Sequence, residues 1–334
     1  MTNSLDKIFQ TQKKVLVTGA AGFIASRVVD LLLSLGVEVV GVDNLNNYYD
    51  LRLKNYRLKQ LQAKPGFLFQ EMDIENRGAL TELFDQHQFE VVYNLAARAG
   101  VRYSMENPHV YMTTNAIGSL NLLEEIKRKG VKKFVLASTS SLYAGQKMPF
   151  TEDLAVNTPI SPYAASKKAA EVMAYSYHFL YGIDVSVVRY FTVFGPAGRP
   201  DMCIFRFIKW IDQGERLEVF GDGAQSRDFT YVEDIARGTI LASQQVGYEI
   251  INLGGGKNPI SLNQVIGGIE SRLNKKAEID HRVFHRADIK ETWADISKAE
   301  RLLGWTPKVS FDQGLDLTLK WYLENKAWVK DVQL

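Results

Sequence analysis

The sequence predicts a doubly wound α/β fold: a parallel sheet covered by helices on both faces, followed by a smaller C-terminal α/β lobe. Three observations lead there. Short apolar runs alternate with helical patterns over the first 190 residues. The runs are apolar at nearly every position, as strands buried on both faces must be. A glycine-bearing turn joins the first run to the first helical stretch, which is how such sheets begin.

The expected strands are KVLVT (14–18), VEVVGV (37–42), FLFQ (67–70), VVYNL (91–95), KFVLAS (133–138) and IDVSVVR (183–189). Between them lie helical stretches such as SRVVDLLLSLG (26–36) and GSLNLLEEIKRKG (118–130), each closing on a glycine that can take a left-handed backbone. After VFGPAGRP (193–200) the alternation loosens, and YEIINLGGG (248–256) reads as one more strand returning to the sheet. The expected division is a sheet domain over 1–190 with a return segment near 233–262. A smaller lobe is then built from 191–232 and 263–334. There are no internal repeats and no low-complexity segments.

At 334 residues the chain is longer than one compact core usually holds, which supports two lobes. A net charge of +2 and the lack of a long Lys/Arg run argue against a nucleic-acid partner. The single cysteine, Cys203, excludes an intramolecular disulfide and fits a reducing compartment. Its apolar neighbours in MCIFRF suggest a small buried residue. No stretch reaches the roughly 20 apolar residues needed to span a bilayer, and the N-terminus has no signal-peptide core. The expectation is a soluble, cytoplasmic protein without a membrane partner.

VLVTGAAGFIAS (15–26) places Gly19 and Gly22 after the first strand, with Ala25 in the third slot. Glycines let the turn tighten and let a pyrophosphate approach backbone N–H groups at a helix N-terminus. Asp43 ends the second strand, 24 residues past Gly19. A carboxylate there accepts from ribose hydroxyls and repels a 2′-phosphate, which favours NAD over NADP. A turn-forming aspartate in DNLNN is the competing reading. Phe23 and Ile24 open the helix, Asn44 follows Asp43, Asp73 and Ile74 follow the third strand, and Ala96 follows the fourth. With Lys167 these complete the expected NAD-contacting set.

SPYAASKKAAE (161–171) holds Tyr163 and Lys167, four residues apart and therefore on one helix face. A phenol beside an ammonium and a cationic nicotinamide has its pKa lowered and can take a proton from a sugar hydroxyl. Upstream, the fifth strand runs into three hydroxyl residues, Thr139, Ser140 and Ser141. Fingerprint, hydroxyl cluster and Tyr–Lys pair together resemble the extended short-chain dehydrogenase/reductase family, whose sheet domain is the Rossmann fold.

The resemblance runs nearly end to end. DNLNNYYDLRLKNYRL (43–58), NLAARAGVRYSMENP (94–108), RYFTVFGPAGRPDM (189–202), RDFTYVEDIARG (227–238) and ADIKETWADISKAERLLGWTP (287–307) are similar to the nucleotide-sugar 4-epimerase branch. The nearest pattern is that of members acting on UDP-glucuronate. The resemblance implies Tyr163 as base, Lys167 as its positioner on the nicotinamide ribose, and Thr139, Ser140 and Ser141 against the sugar. It implies Arg227 and Asp288 for the UDP pyrophosphate and uridine ribose, tightly held NAD, and homodimers paired through the helix that carries Tyr163. Two departures are Ala25 in the third glycine slot and Arg27 where a histidine is often found.

In the related dehydratases and decarboxylases, acids stand where this chain has Ser140 and Ser141. A neutral hydroxyl binds substrate but is a poor acid or base on its own. The segment therefore suits hydride removal at C4, rotation of the 4-keto sugar and hydride return, with no further chemistry. Such a keto-uronate is a β-keto acid prone to lose CO2, so its carboxylate must be held. Thr139, Ser140, Ser141 and Thr192 are the candidates, with Arg199 as added charge. Capping of the strand end is the competing reading for the hydroxyls, and a solvated loop residue the competing reading for Arg199. A UDP-glucose/galactose 4-epimerase, a UDP-glucuronate decarboxylase and a non-catalytic nucleotide-sugar-binding protein stay open as alternatives. His281 and His285 have i, i+4 spacing but lack a carboxylate context, so no metal site is expected. Trp210, Trp293, Trp305 and Trp321 are expected in cores.

Overall fold

A computed structural model of the chain describes residues 13–257, 259–283 and 289–334. Its centre is a seven-stranded parallel sheet in the order β3-β2-β1-β4-β5-β6-β11. The strands are β1 (Lys14–Thr18), β2 (Glu38–Asp43), β3 (Phe67–Glu71), β4 (Val91–Asn94), β5 (Lys133–Thr139), β6 (Asp184–Tyr190) and β11 (Tyr248–Leu253). The six expected runs and the returning strand all pair as read. β5 and the core of β6 are buried at every position, which explains the uninterrupted apolar pattern.

Order reverses between β1 and β4, where Val15 pairs with Val39 on one side and Val91 on the other. The carboxyl ends of the strands open into a crevice at such a switch point. Helices α1 (Phe23–Ser34), α2 (Leu51–Gln62), α3 (Arg77–Gln86), α4 (Gly118–Lys129) and α5 (Pro162–Tyr181) link the strands. α1 begins three residues before the expected stretch. Gly22 caps it with extended backbone (φ −70°, ψ 163°), so the helix starts immediately at the fingerprint.

Two apolar cores cover the sheet faces. One packs Val28, Val29 and Leu32 of α1 against Ile235, Ala236 and Ile240 of α7 (Val232–Leu241). Trp305, fully buried, and Leu303 share that core, so this part of the C-terminal chain packs on the sheet. The other face holds Leu80, Leu83, Leu122, Leu123 and Ile126. A third core builds the lobe around α6 (Cys203–Gln213), α8 (Leu262–Leu273) and α9 (Phe311–Glu324), with Trp210 and Trp321 inside. The lobe has two parallel strand pairs, β7 (Thr192–Phe194) with β10 (Phe229–Tyr231) and β8 (Arg216–Phe220) with β13 (Glu278–Arg282), and the antiparallel pair β9 (Ser226–Arg227) with β12 (Ile260–Ser261). Trp293 is only half-buried. Burying each large apolar side chain stabilises by about 1.5–3 kcal/mol.

Arg27 pairs across the α1–α7 contact with Glu233 and within α1 with Asp30, so the departure at 27 serves helix packing. Among the described residues no helix is long and apolar enough to cross a membrane.

Candidate active site

One cavity of about 780 Å³ lies over the carboxyl ends of the strands, between sheet and lobe. Its floor at the switch point is shaped by backbone. Gly19 has φ +71°, and a Cβ there would stand 2.8 Å from the Ala96 backbone across the crevice. A Cβ on Gly22 would stand 2.8 Å from the Gly19 carbonyl oxygen. The two glycines thus let β1, β4 and the start of α1 approach closely, and Phe23, Ile24 and Ala96 line the same wall. Thr18 braces it: its Oγ1 donates to Asn94 Oδ1 (2.7 Å) and accepts from Ala96 N (3.0 Å).

Asp43 is buried at the tip of β2, accepting from Ala21 N (3.2 Å) and Leu45 N (2.9 Å). The turn reading of Asp43 holds, and the same carboxylate also lines the cavity. Lys54 Nζ lies 3.4 Å from it, also buried. Asn44 donates to Asp73 (2.6 Å), and Ile74 is buried beside Gly118, whose missing Cβ leaves it room. The arrangement fits NAD: a close backbone turn at a helix N-terminus for pyrophosphate, and a carboxylate at the ribose end.

α5 presents Tyr163 and Lys167 to the cavity. Ser161 caps its start by accepting from Ala164 N (3.2 Å), and Pro162 occupies the first turn. Lys167 is buried and donates to the Ala137 carbonyl (2.9 Å). Burial pulls its pKa down to about 8, against the pull of the Glu171 carboxylate. Thr139, at the end of β5, hydrogen-bonds the Tyr163 phenol, while its Oγ1 accepts from Ser141 N (3.1 Å). Capping and site contact coexist in Thr139. The Tyr163 pKa is raised by burial, with Thr139 and the Arg199 charge acting against it. In the protein alone desolvation outweighs the nearby positive charge; the lowering expected from the sequence belongs to the state with a cationic nicotinamide beside the phenol.

Ser140, Ser141, Thr192, Arg199 and Arg227 line the far side of the same cavity. Arg199 makes a double hydrogen bond with Asp201 (3.0 and 2.5 Å). Arg227 donates to the Ser226 and Lys290 carbonyls. Asp288 and His285 lie outside the described residues. His281 is exposed and contacts the Gly221 carbonyl (2.8 Å). No cluster of metal-ligating side chains occurs among the described residues. Cys203 differs from expectation: it is half-buried and lines the cavity, with burial pushing its thiol up to about 11.

Several residues escaped sequence reasoning. Arg98, Arg102 and Arg206 line the cavity, and Arg98 Nε and Arg206 Nε are buried without a hydrogen-bond partner among the described residues. An unpaired buried donor costs free energy, so these guanidiniums favour an anionic ligand in the cavity. A chain of buried polar groups leads from Asn94 through Ser119, Asn115 and Ser166 to the Tyr163 carbonyl. Below Lys167, Glu171 holds Arg189 through two bonds (2.9 and 2.8 Å) and accepts from Ser138 (2.6 Å). Glu171 carried a signal, sitting one further helical turn along the face of Tyr163 and Lys167.

Comparison with known proteins agrees with this architecture. Residues 16–318 match the GDP-mannose 4,6-dehydratase family. The chain is 58% identical to a UDP-glucuronate 4-epimerase of Thermodesulfobacterium geofontis over 96% of this chain and 99% of that one. It superimposes on UDP-glucuronic acid 4-epimerase of Bacillus cereus in complex with UDP-glucuronic acid and NAD (TM-score 0.87, 38% identity, 93% and 99% coverage). UDP-glucose 4-epimerase of Thermotoga maritima with UDP-glucose is also similar (TM-score 0.87, 34% identity, 94% and 99% coverage).

Proposed function

Since the chain belongs to the GDP-mannose 4,6-dehydratase family, whose dinucleotide-binding fold it shares, we propose that it is an NAD-dependent 4-epimerase interconverting UDP-glucuronate and UDP-galacturonate. The observation that carries this reading is the combination at one cavity of a Tyr163–Thr139–Lys167 centre, serine rather than acid at 140 and 141, and a set of arginines. NAD, held by the Gly19–Gly22 turn and Asp43, would supply the acceptor for the C4 hydride and the donor for its return. Tyr163 takes the C4 hydroxyl proton and returns it. Thr139 donates to the phenolate, and the Lys167 charge stabilises it. Ser140, Ser141 and Thr192 supply neutral hydrogen bonds to the sugar, and Arg199 faces its carboxylate. Arg227 serves the diphosphate, with Asp288 at the uridine ribose.

Holding the carboxylate matters because the 4-keto intermediate loses CO2 when its C–CO2 bond stands perpendicular to the ketone plane. Hydroxyl donors fix that group without offering the acid that further chemistry needs. A homodimer is part of the proposal: α5 leaves Val172, Tyr175, Phe179 and Leu180 50 to 75% exposed, a large apolar stripe for a lone surface helix.

Proton NMR of UDP-glucuronate with the purified protein and no added NAD tests the reading. UDP-galacturonate without UDP-pentose is expected. UDP-pentose would make it a decarboxylase, and turnover of UDP-glucose alone would place it with the neutral-sugar epimerases.

A further inference from the structure

We propose that Tyr48 is a specificity-determining positioning residue, which holds the Arg199 guanidinium for a sugar carboxylate and ties it to the loop that leaves Asp43. The inference rests on the uronate reading above and deepens it. Arg199 stands over the Tyr48 ring, 5.8 Å from its centre. Asp201 holds the guanidinium by its edge. Ring and carboxylate together fix the plane of a side chain that would otherwise sample many rotamers.

Tyr48 is itself fixed from three sides. Its ring packs on Tyr103 at 5.5 Å. Its hydroxyl hydrogen-bonds Tyr111, which donates to the Gly100 carbonyl (2.9 Å) and packs edge-on against Tyr163 at 6.0 Å. Gly100 explains how the ring gets in: a Cβ there would lie 2.4 Å from the Tyr48 hydroxyl oxygen. The third constraint is the loop. Asp43, Asn44 and Asn46 each accept from the backbone N–H two residues on, at Leu45, Asn46 and Tyr48. This run of local turns connects the carboxylate at the ribose end to the aromatic under Arg199. DNLNNYYD and NLAARAG, two separate stretches, thus meet at one contact.

A residue that acts through Arg199 should affect the uronate and spare a neutral sugar. The experiment is calorimetric binding of UDP-glucuronate, UDP-glucose and UDP to the NAD-loaded protein. Tyr48→Ala is expected to weaken UDP-glucuronate about five- to tenfold while leaving UDP-glucose and UDP within twofold, a size typical of a partly buried cation–π contact. Tyr48→Phe, which keeps the ring, should restore the preference. In an Arg199→Ala background, Tyr48→Ala should change the preference by less than twofold, since coupled residues are not additive.

Unchanged preference in Tyr48→Ala, or an equal loss in the Arg199→Ala background, overturns the proposal. If Tyr48→Ala does not fold by circular dichroism, Tyr48→Leu carries the same expectation. Failure of the wild-type protein to favour UDP-glucuronate over UDP-glucose would instead overturn the uronate reading, whatever Tyr48 does.

Discussion

The two ends of the cavity are built by different means. At the sheet end, backbone decides: Gly19 and Gly22 allow an approach of 2.8 Å that no side chain could share. At the lobe end, side chains decide: Thr139, Arg199, Tyr48 and Arg227 come from four separate segments and meet only when sheet and lobe close on each other. A backbone device depends on local spacing. A side-chain device depends on tertiary placement, and it can change substrate or chemistry without disturbing the fold. This is the physical reason one family can hold dehydratases and epimerases on the same sheet.

The comparison breaks hardest at the chemistry both ends serve. Tyr163→Phe removes the proton acceptor and should lower turnover by about 10²–10⁴-fold. UDP affinity and NAD content should stay near wild type, measured by calorimetry and by absorbance of the released cofactor. Loss of NAD instead would mean Tyr163 belongs to the sheet end.

A second effect separates the charge at Lys167 from its packing. Burial holds its pKa near 8. The ammonium is therefore lost as pH rises through that value, and kcat/KM should fall on the alkaline side above about pH 8. In Lys167→Arg the guanidinium stays charged, so the alkaline limb should move up even though the maximum rate drops. Identical pH profiles for the two proteins would show that another group sets the limb.

The sheet end is tested by Gly19→Ala. The φ of +71° and the contact with Ala96 both oppose a Cβ. Stability should fall by about 1–3 kcal/mol, and retained NAD should fall with it, read by denaturant melts and cofactor absorbance. The smallest change belongs to the lobe end: Thr192→Asn should shift the ratio of kcat/KM for UDP-glucuronate over UDP-glucose about two- to fivefold toward the neutral sugar, with stability unchanged.

The same asymmetry governs what could be read from the chain. Apolar strand runs and the glycine spacing are local, and all seven sheet strands were legible from them, although the edge strand β3 is largely exposed rather than buried on both faces. Tyr163 and Lys167 shared a helix face by simple periodicity. The pairing of Arg199 with Tyr48 could not be read, since the two lie in different lobes and no local pattern joins them. The raised Tyr163 pKa was also out of reach: it depends on burial, set against the Thr139 hydroxyl and the Arg199 charge, which only the folded chain brings together. Arg98, Arg102 and Arg206 carried no local signal, because only the folded chain brings them to one cavity.

Retention of the C4 hydrogen tests the central claim most directly. UDP-glucuronate carrying deuterium at C4 is incubated with the protein in ordinary water, and the product is read by mass spectrometry and NMR. The account predicts UDP-galacturonate that keeps its deuterium at C4, because the same hydride leaves C4 and returns to it within one cavity without exchanging with water. Loss of the label to solvent, or its appearance in a UDP-pentose, would contradict it.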